Sequence, residues 1–216
     1  MGITAQLPDH EPIFISSWKG YSAFVDALEQ IGSQHFPMIL DQLPDGDEGT
    51  TTSDKASTMR DELLYFIEQQ SQVQQVVLVD AERGVDISMG SQISGGALSM
   101  DRVSGYDLGF DENGFFVRDR WEMNRDLFRA MRVQQHLLYP ETHTVEYEDL
   151  DSGQRFRCNV PFGKPMPGED GIPRMMLQQF HVEIRPAAPN RFAYITDPLL
   201  RTLEISISEQ ASITWI

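Results

Sequence analysis

The spacing of apolar residues predicts a helix near the start of the chain. Apolar side chains recur every three or four residues over 18–31, which places them along one side of a helix. Ser16 or Ser17 precedes this run and is suited to cap the helix, and Gly32 follows it as a C-terminal glycine does. The first predicted element is therefore an amphipathic helix that ends at Gly32.

Two further helices are predicted before residue 71. Residues 36–40 form a short apolar turn, with Pro37 at a position that proline often occupies in the first turn of a helix. A polar, glycine-containing loop follows at 44–53, and a longer helical pattern then runs over 54–70. The buried side of this third helix is predicted to carry Met59, Leu63, Phe66 and Ile67.

The periodicity changes to that of β-strands after residue 71. Runs of β-branched residues predict strands at 73–79 and 85–88, with a turn between them. The pair Asn113-Gly114 predicts a tight hairpin over 106–117. Further strands are predicted at 145–150 and 155–160, which form a second hairpin, and at 177–184, 191–195, 203–207 and 213–216.

One more helix is predicted within the β region, at 119–138. A helix there would place these residues near one face: Trp121, Leu127 or Phe128, Met131, Gln135 and Leu138. Helices followed by mainly antiparallel strands with one inserted helix predict an α+β fold. Strands and helices do not alternate, which disfavours a doubly wound nucleotide-binding sheet. We expect a single α+β domain over 1–216, with 88–100 as the place where a subdomain boundary would fall.

The composition is that of a folded chain, but its charge is unusual. The net charge is −16, and residues 1–90 hold fifteen Asp and Glu against four Lys and Arg. Residues 91–216 hold eighteen acidic residues against thirteen basic ones. Binding to nucleic acid or to an anionic membrane depends on an excess of Lys and Arg, so neither is predicted as a partner. The excess of acidic residues has two interpretations. It can keep the protein soluble through charge repulsion, or it can attract a basic protein partner.

The single cysteine, Cys158, excludes an internal disulfide and a cysteine-based zinc cluster. Alternation within the predicted strand places Cys158 beside Phe156 on one face, which predicts a buried core residue. Residues 1–6 contain neither a basic segment nor an apolar segment of the kind found in secretory signals. We therefore expect a cytoplasmic protein.

No cofactor is predicted from the glycine-containing segment 90–96. A phosphate-binding P-loop requires a lysine followed by Ser or Thr, and no lysine stands near this segment. The glycine spacing of a dinucleotide-binding turn is also missing. The segment is predicted to be a connecting loop.

The alternative of an enzyme depends on histidines and carboxylates in the β region. His143 precedes the strand that carries Glu146, and His181 lies in the middle of another predicted strand. If those two strands were neighbours, the three side chains would form a site for acid–base chemistry or for a metal ion. Five histidines are present, but no pair has the spacing of a metal-binding motif. No metal site is therefore predicted.

Five arginines form the one basic block of the chain: Arg118, Arg120, Arg125, Arg129 and Arg132. Three acidic residues, Asp119, Glu122 and Asp126, are interleaved with them, and Glu122 and Asp126 stand three or four positions from an arginine. This is the spacing of ion pairs on a helix surface, so the block is predicted to be a solvated face rather than an anion-binding stripe.

The densest acidic cluster consists of Asp41, Asp45, Asp47 and Glu48. Its spacing does not match a calcium-binding loop, and it is the best candidate in the sequence for contact with a partner. We therefore predict a non-catalytic binding protein whose acidic N-terminal half docks a basic protein, in the manner of an immunity protein or antitoxin. The sequence leaves open an enzyme of unrecognised family, a structural assembly protein and the oligomeric state.

Overall fold

A computed structural model describes residues 2–43, 49–87, 96–100, 105–122, 125–163, 165–168, 170–175 and 177–216. The helices are α1 (Trp18–Ile31), α2 (Pro37–Gln42), α3 (Ser53–Gln69) and α4 (Ala193–Glu209). The strands are β1 (Gly2–Gln6), β2 (Ile13–Ser17), β3 (Gly49–Thr51), β4 (Gln74–Asp80), β5 (Val85–Asp86), β6 (Gly96–Met100), β7 (Tyr106–Asp111), β8 (Gly114–Asp119), β9 (Arg125–Ala130), β10 (Arg132–Tyr139), β11 (Thr144–Asp149), β12 (Arg155–Cys158), β13 (Pro165–Pro167), β14 (Pro173–Met175), β15 (Gln179–Pro186) and β16 (Ile213–Trp215). Their antiparallel pairing confirms the predicted α+β class.

The chain divides into two compact units. Unit 1 comprises 1–74 and 186–216, and unit 2 comprises 75–185. Unit 2 is therefore an insertion between α3 and α4 of unit 1. The predicted boundary at 88–100 lies within unit 2, whereas the observed divisions follow Gln74 and Arg185.

Unit 1 contains a four-stranded antiparallel sheet and the four helices. The strand order is β2-β1-β16-β3, so β16 lies between β1 and β3. Ala5 faces Trp215 in one pair of strands, and Ile213 faces Thr51 in another. The indole nitrogen of Trp215 donates a hydrogen bond of 2.9 Å to Thr51 Oγ1, which satisfies a buried polar group inside the sheet.

Aromatic rings form the centre of the helical core in unit 1. Phe66 on α3 is fully buried, and its ring lies 5.0 Å from that of Phe24 on α1 and 5.2 Å from that of Phe192 before α4. The ring of Phe36 lies 6.1 Å away on the side of α2. Edge-to-face contacts of this kind stabilise a core beyond the burial of area alone. Phe66 therefore joins all four helical segments.

Besides the two-stranded sheet β13-β14, unit 2 contains two larger sheets that pack face to face. One has the order β12-β11-β10-β15-β4-β5 and the other the order β6-β7-β8-β9. The ring of Phe115 in the smaller sheet lies 5.3 Å from that of Tyr147 and 5.0 Å from that of Phe180 in the larger one. All three residues belong to a single buried cluster, which is the core between the sheets.

Most of the predicted N-terminal elements are confirmed. Ser17 caps α1, because its hydroxyl accepts a hydrogen bond of 3.1 Å from the Gly20 amide. Gly32 ends that helix with φ of 126°, a conformation that favours glycine. Pro37 begins α2, and the third predicted helix is α3. Both predicted hairpins are also present.

The helix predicted at 119–138 is wrong, because Arg125–Ala130 form β9 and the residues from Arg132 onwards form β10. Phe128 and Ala130, and then Val133 and Gln135, are buried at alternate positions, which is the period of a strand. Trp121, which was predicted to lie on the buried face of this helix, is 76% exposed. A single residue, Met131, separates β9 in the smaller sheet from β10 in the larger one. The buried positions are therefore two residues apart within each strand but three apart between Ala130 and Val133, and this spacing resembles that of a helix.

The strands predicted at 191–195 and 203–207 are also wrong, because residues 193–195 begin α4 and 203–207 lie within it. Ile195, Leu199 and Leu203 are fully buried at four-residue spacing, so the helix packs one side on the core. The β-branched composition of the segment favours strands, and tertiary packing overrides that propensity. The strand predicted at 213–216 is confirmed as β16, whereas β1 and β2 were not predicted.

The arginine block is paired with acidic residues, but these pairs lie across and along strands and turns rather than along a helix. Arg118 Nε lies 2.7 Å from Asp126 Oδ1, and Arg129 Nη2 lies 2.7 Å from Asp126 Oδ2. Further pairs join Arg120 to Asp107, Arg125 to Glu122, Arg129 to Asp111 and Arg132 to Asp151. The pairs of Arg118 and Arg129 lie on the smaller sheet, where both guanidinium groups also stack over the Phe116 ring, whereas Arg132 lies on β10 of the larger sheet.

We expect Phe66→Ala to destabilise unit 1 by about 3–5 kcal/mol, because it removes the ring around which the helices pack. Leu64→Ala on the same helix is the matched control and should cost less than about 1 kcal/mol, because Leu64 is 42% exposed. Chemical denaturation followed by the helical circular dichroism signal measures both. Equal losses of unfolding free energy for the two variants would contradict the central position of Phe66 in this core.

The Asp126 carboxyl should make stability depend on pH. Its partial burial acts to raise the pKa, but hydrogen bonds from Arg118 and Arg129 outweigh this effect and lower it. A lowered pKa in the folded state stabilises the protein above the unfolded value, about 3.9, and the gain is lost as the pH falls through the folded value. Wild type should therefore exceed Asp126→Asn in unfolding free energy at neutral pH, and the gap should close in acid. A gap that is constant between neutral pH and about pH 3 would refute the assignment.

Candidate partner-binding surface

Helix α3 separates a buried side from an exposed side. Ala56, Met59, Leu63 and Phe66 recur at three- and four-residue intervals and are fully buried. This stripe fixes the rotation of the helix about its axis, because those side chains must face the core. The residues on the opposite side are consequently held towards solvent.

Three carboxylates follow one another along the exposed side of α3. Asp54, Asp61 and Glu68 are each seven residues apart and exposed. Seven residues correspond to nearly two turns and about 10.5 Å, so the three carboxylates form a stripe about 21 Å long. Between Asp61 and Glu68 lie Leu64 and Tyr65, which are 42% and 38% exposed. The stripe therefore combines negative charge with an apolar centre.

The apolar centre is supported by neighbouring rings. The ring of Tyr65 lies 5.3 Å from that of His35 and 6.0 Å from that of Phe36. Phe36 is fully buried, whereas His35 is exposed beside Tyr65. These contacts restrict the Tyr65 side chain, so less entropy would be lost if a partner covered it.

Glu62 holds α2 against α3 and is not available to a partner. Its two carboxylate oxygens accept hydrogen bonds of 3.0 and 2.8 Å from the amides of Met38 and Ile39. These amides lie in the first turn of α2, where backbone donors have no partner within the helix. Glu62 therefore has a structural role, although it belongs to the same acidic helix.

Of the four predicted partner-binding residues, the structure describes Asp41, which lies near the start of α3. Its side chain is 67% exposed, and its Oδ2 lies 3.9 Å from Lys55 Nζ. Asp45, Asp47 and Glu48 lie outside the described residues. Asp41 thus lies near the N-terminal end of α3, and we call Asp41 together with the exposed residues of α3 the α3 surface: Asp41, Asp54, Asp61, Leu64, Tyr65 and Glu68.

The α3 surface belongs to the more acidic unit. Unit 1 contains fifteen Asp and Glu against five Lys and Arg, a net charge of −10. Unit 2 contains eighteen against twelve, a net charge of −6. In unit 2 many acidic residues are paired with arginines. On the α3 surface Asp61 accepts a hydrogen bond of 2.8 Å from Arg60, whereas the structure shows no ion pair for Asp54 or Glu68 among the described residues.

The sequence analysis missed the three α3 carboxylates as candidates. The sequence does contain a signal for them: Asp54, Asp61 and Glu68 are spaced by seven residues, on the side of the helix opposite the predicted buried stripe. The highest local density of acids, by contrast, is at Asp45, Asp47 and Glu48. The spacing becomes meaningful only once the 54–70 pattern is read as a helix, because residues seven apart in a loop share no face.

The predicted grouping of His143, Glu146 and His181 is not formed. In the larger sheet β10 lies between β11 and β15, so the strands of Glu146 and His181 are not neighbours. His181 lies opposite Arg132, while His143 adjoins the end of β10 at Tyr139, seven residues or about 23 Å further along the strand. No group of three metal-binding side chains occurs among the residues that the structure describes.

Glu146 instead takes part in an ion-pair network. Its carboxylate is 7% exposed and accepts a hydrogen bond of 2.6 Å from Arg157 Nε, with Arg155 Nη1 at 3.4 Å. Both arginines lie on β12, the outermost strand of the larger sheet. The nearly buried charge is therefore neutralised, and Glu146 is not free to act as a base.

A cleft of about 200 Å³ in unit 2 is lined by Gln135, His136, Leu137, Pro173, Arg174, Met175 and Gln178. The buried Gln135 amide donates hydrogen bonds of 3.0 Å to the carbonyls of Phe162 and Leu177. His136 lies 3.3 Å from Glu148, and Arg174 lies 2.6 Å from Asp170. The residues that line this cleft hold neighbouring segments together, and no nucleophile is hydrogen-bonded to a base among them.

Cys158 is a core residue, as predicted. Its side chain is buried, its thiol donates a hydrogen bond to the Val160 carbonyl, and burial raises its pKa to about 11. A thiolate is the reactive form of cysteine, so this environment opposes nucleophilic catalysis.

Comparisons with known proteins give no assignment. No family model, curated protein or solved structure matches the chain. Within the described ranges, no helix is both long enough and apolar enough to cross a membrane.

We expect Cys158 in the native protein to react with iodoacetamide at least about 100-fold more slowly than in the denatured protein at pH 8. With a pKa of about 11 the thiolate fraction at that pH is roughly 0.1%, against more than about 10% for an ordinary cysteine. Mass spectrometry of timed samples measures the ratio. Similar rates in the two states would contradict the burial of Cys158 and reopen a thiol-based chemistry.

Proposed function

We propose that this chain is a non-catalytic binding protein that docks a basic protein through the α3 surface. The observation that carries the proposal is the stripe of three exposed carboxylates along α3 with Leu64 and Tyr65 between two of them. A surface of this kind combines long-range attraction for a cationic partner with a centre that can exclude water.

The charge of unit 1 supports fast capture of such a partner. Complementary potentials raise association rates by about 10- to 1,000-fold over those of neutral surfaces at low ionic strength. The screening length is about 10 Å at 0.1 M salt, so carboxylates spread over about 21 Å act together only near the surface. Attraction by the α3 surface therefore depends strongly on salt.

The apolar centre contributes binding energy that exposed charges alone do not provide. Exposed ion pairs contribute at most about 1 kcal/mol each, because solvent and salt screen them. Binding energy at interfaces is concentrated in a few central residues, and tyrosine is common among them. Tyr65, already restricted by His35, is the residue on the α3 surface best suited to this role.

An inhibitor of a basic enzyme fits these properties. A nuclease must carry positive charge to bind nucleic acid, and a protein that masks it benefits from rapid, charge-driven association. We therefore propose an immunity-like or antitoxin-like role in the cytoplasm. The separation of His143 and His181, and the paired state of Glu146, favour this proposal over an enzyme.

We expect the wild-type chain, immobilised and exposed to a lysate of its host, to retain a protein of high isoelectric point that mass spectrometry can identify. The association rate of the purified partner should fall at least about tenfold between 0.05 and 0.5 M salt. The variant Asp54→Lys/Asp61→Lys/Glu68→Lys should lose binding at all salt concentrations.

The matched control is Glu82→Lys/Glu112→Lys/Glu141→Lys. It produces the same change in net charge on exposed turns of unit 2 and should retain the partner. Equal loss in both triple variants would show that net charge alone is responsible. An association rate that does not change with salt, or a partner without excess positive charge, would rule out the proposed function.

A further inference from the structure

The exposed side of α3 has the spacing of a contact between two helices. Asp54, Thr58, Asp61, Tyr65 and Glu68 are all exposed and follow one another at intervals of four, three, four and three residues. Positions with this spacing form one row along a helix, and two helices that cross at about 20° pack along such rows. The row can therefore accommodate a second helix that lies alongside α3.

Charge and apolar surface alternate along this row. The three carboxylates occupy every second position, and Thr58 and Tyr65 lie between them. The two basic residues of α3, Lys55 and Arg60, are each next to an acid in sequence, so their Cα–Cβ bonds are turned from the row by about 100°. The Arg60 guanidinium nevertheless reaches back to Asp61, at 2.8 Å. An exposed pair of this kind is weak, so a partner's cation can compete for Asp61.

The main chain of α3 limits which element of a partner can cover the row. Backbone N–H and C=O groups in the middle of a helix are bonded to one another, so α3 offers no backbone donor or acceptor there. An extended segment laid across Leu64 and Tyr65 would lose the hydration of its own backbone groups without gaining hydrogen bonds. A helix avoids this loss, because its backbone groups are already paired. The exposed apolar centre therefore favours a helical partner.

The distances between the carboxylates favour the same element independently. Successive carboxylates are separated by about 10.5 Å along the axis of α3, and a partner helix presents residues seven apart at the same repeat. One face of a strand presents a residue about every 6.7 Å, and a polyproline helix presents one about every 9.3 Å. Neither of these repeats stays in register with all three carboxylates.

We propose that the basic partner presents an α-helix to α3. Its Lys or Arg residues are spaced by seven and face Asp54, Asp61 and Glu68, and an apolar side chain between them faces Tyr65. This proposal rests on the proposed function, which makes the α3 surface the docking site. It adds the structural element of the partner and the spacing of its charges. A helix that spans the row contains about 15 residues and is about 22 Å long.

Three peptides of equal charge test the proposal on the full chain. The first is an alanine- and glutamine-based peptide of 22 residues with Arg at positions 4, 11 and 18 and Leu at positions 8 and 15. The second has the same composition, but its Arg residues are at positions 4, 9 and 14, which spreads the charges around the helix. The third is the first peptide with Pro at position 12, which breaks the helix.

We expect the first peptide to bind at least about tenfold more tightly than the second or the third. The second can align one arginine with the row and loses the other two ion pairs, and the third loses the helical face itself. Fluorescence anisotropy of labelled peptides in 0.05 M salt measures the three dissociation constants. Circular dichroism of the mixture should also show that the first peptide gains helical signal when it binds.

Matched variants locate the bound peptide. Asp61→Lys, in the middle of the row, should remove the preference for the first peptide. Glu82→Lys makes the same change of charge on an exposed turn of unit 2 and should leave that preference unchanged. Tyr65→Ser should weaken binding of the first peptide, because it removes the apolar contact. Circular dichroism of each variant alone confirms that it is folded.

Two outcomes overturn the helical partner while leaving the proposed function in place. Equal affinities of the three peptides would mean that the α3 surface attracts positive charge without selecting a helix. The first peptide could also fail to bind although wild type retains a basic protein that Asp54→Lys/Asp61→Lys/Glu68→Lys loses. The partner would then use another element. Failure of the proposed function itself appears separately, as the absence of any retained basic protein.

Discussion

The contacts around Phe66 determine both sides of helix α3. Its ring meets rings from α1, from the start of α2 and from the segment before α4, so α3 cannot rotate without breaking the core. Because the buried stripe is fixed, the exposed stripe is fixed as well. The positions of Asp54, Asp61 and Glu68 therefore follow from apolar packing on the other side of the helix. In this sense the core determines where the charge of unit 1 is displayed.

The two units use their acidic residues differently. In unit 2 carboxylates such as Asp126 and Glu146 lie within hydrogen-bonding distance of arginines and stabilise the surfaces of the sheets. In unit 1, Glu62 caps a helix and Asp61 accepts hydrogen bonds from Arg60, whereas Asp54 and Glu68 are exposed and have no ion pair among the described residues. Net charge alone does not separate structural acids from those available to a partner. The hydrogen-bond partners of each carboxylate distinguish the two groups.

Sequence patterns predicted the elements whose periodicity agreed with their packing. Helix α3 was predicted correctly because Met59, Leu63 and Phe66 recur at a helical period and are also the residues that become buried. Helix α4 was misread because β-branched residues favour strands and only contacts with the rest of unit 1 make it helical. The strands β9 and β10 were misread because the alternation shifts at Met131 as the chain passes between sheets.

The candidate surface was predictable only in part. Asp41 was identified from the density of acidic residues, but its position beside Lys55 at the start of α3 depends on how α2 packs. The contact of Tyr65 with His35 joins residues thirty positions apart, and no local pattern indicates it. Tertiary contacts of this kind are set by the whole core rather than by neighbouring residues.

The insertion of unit 2 has a consequence for biosynthesis. Strand β16 lies between β1 and β3, yet it is made after unit 2, so the sheet of unit 1 cannot be completed while residues 1–74 emerge from the ribosome. Unit 2 is continuous in sequence and can fold first. Until β16 arrives, β1 and β3 expose unpaired edges, which chaperones recognise and which invite misassembly on the nascent polypeptide.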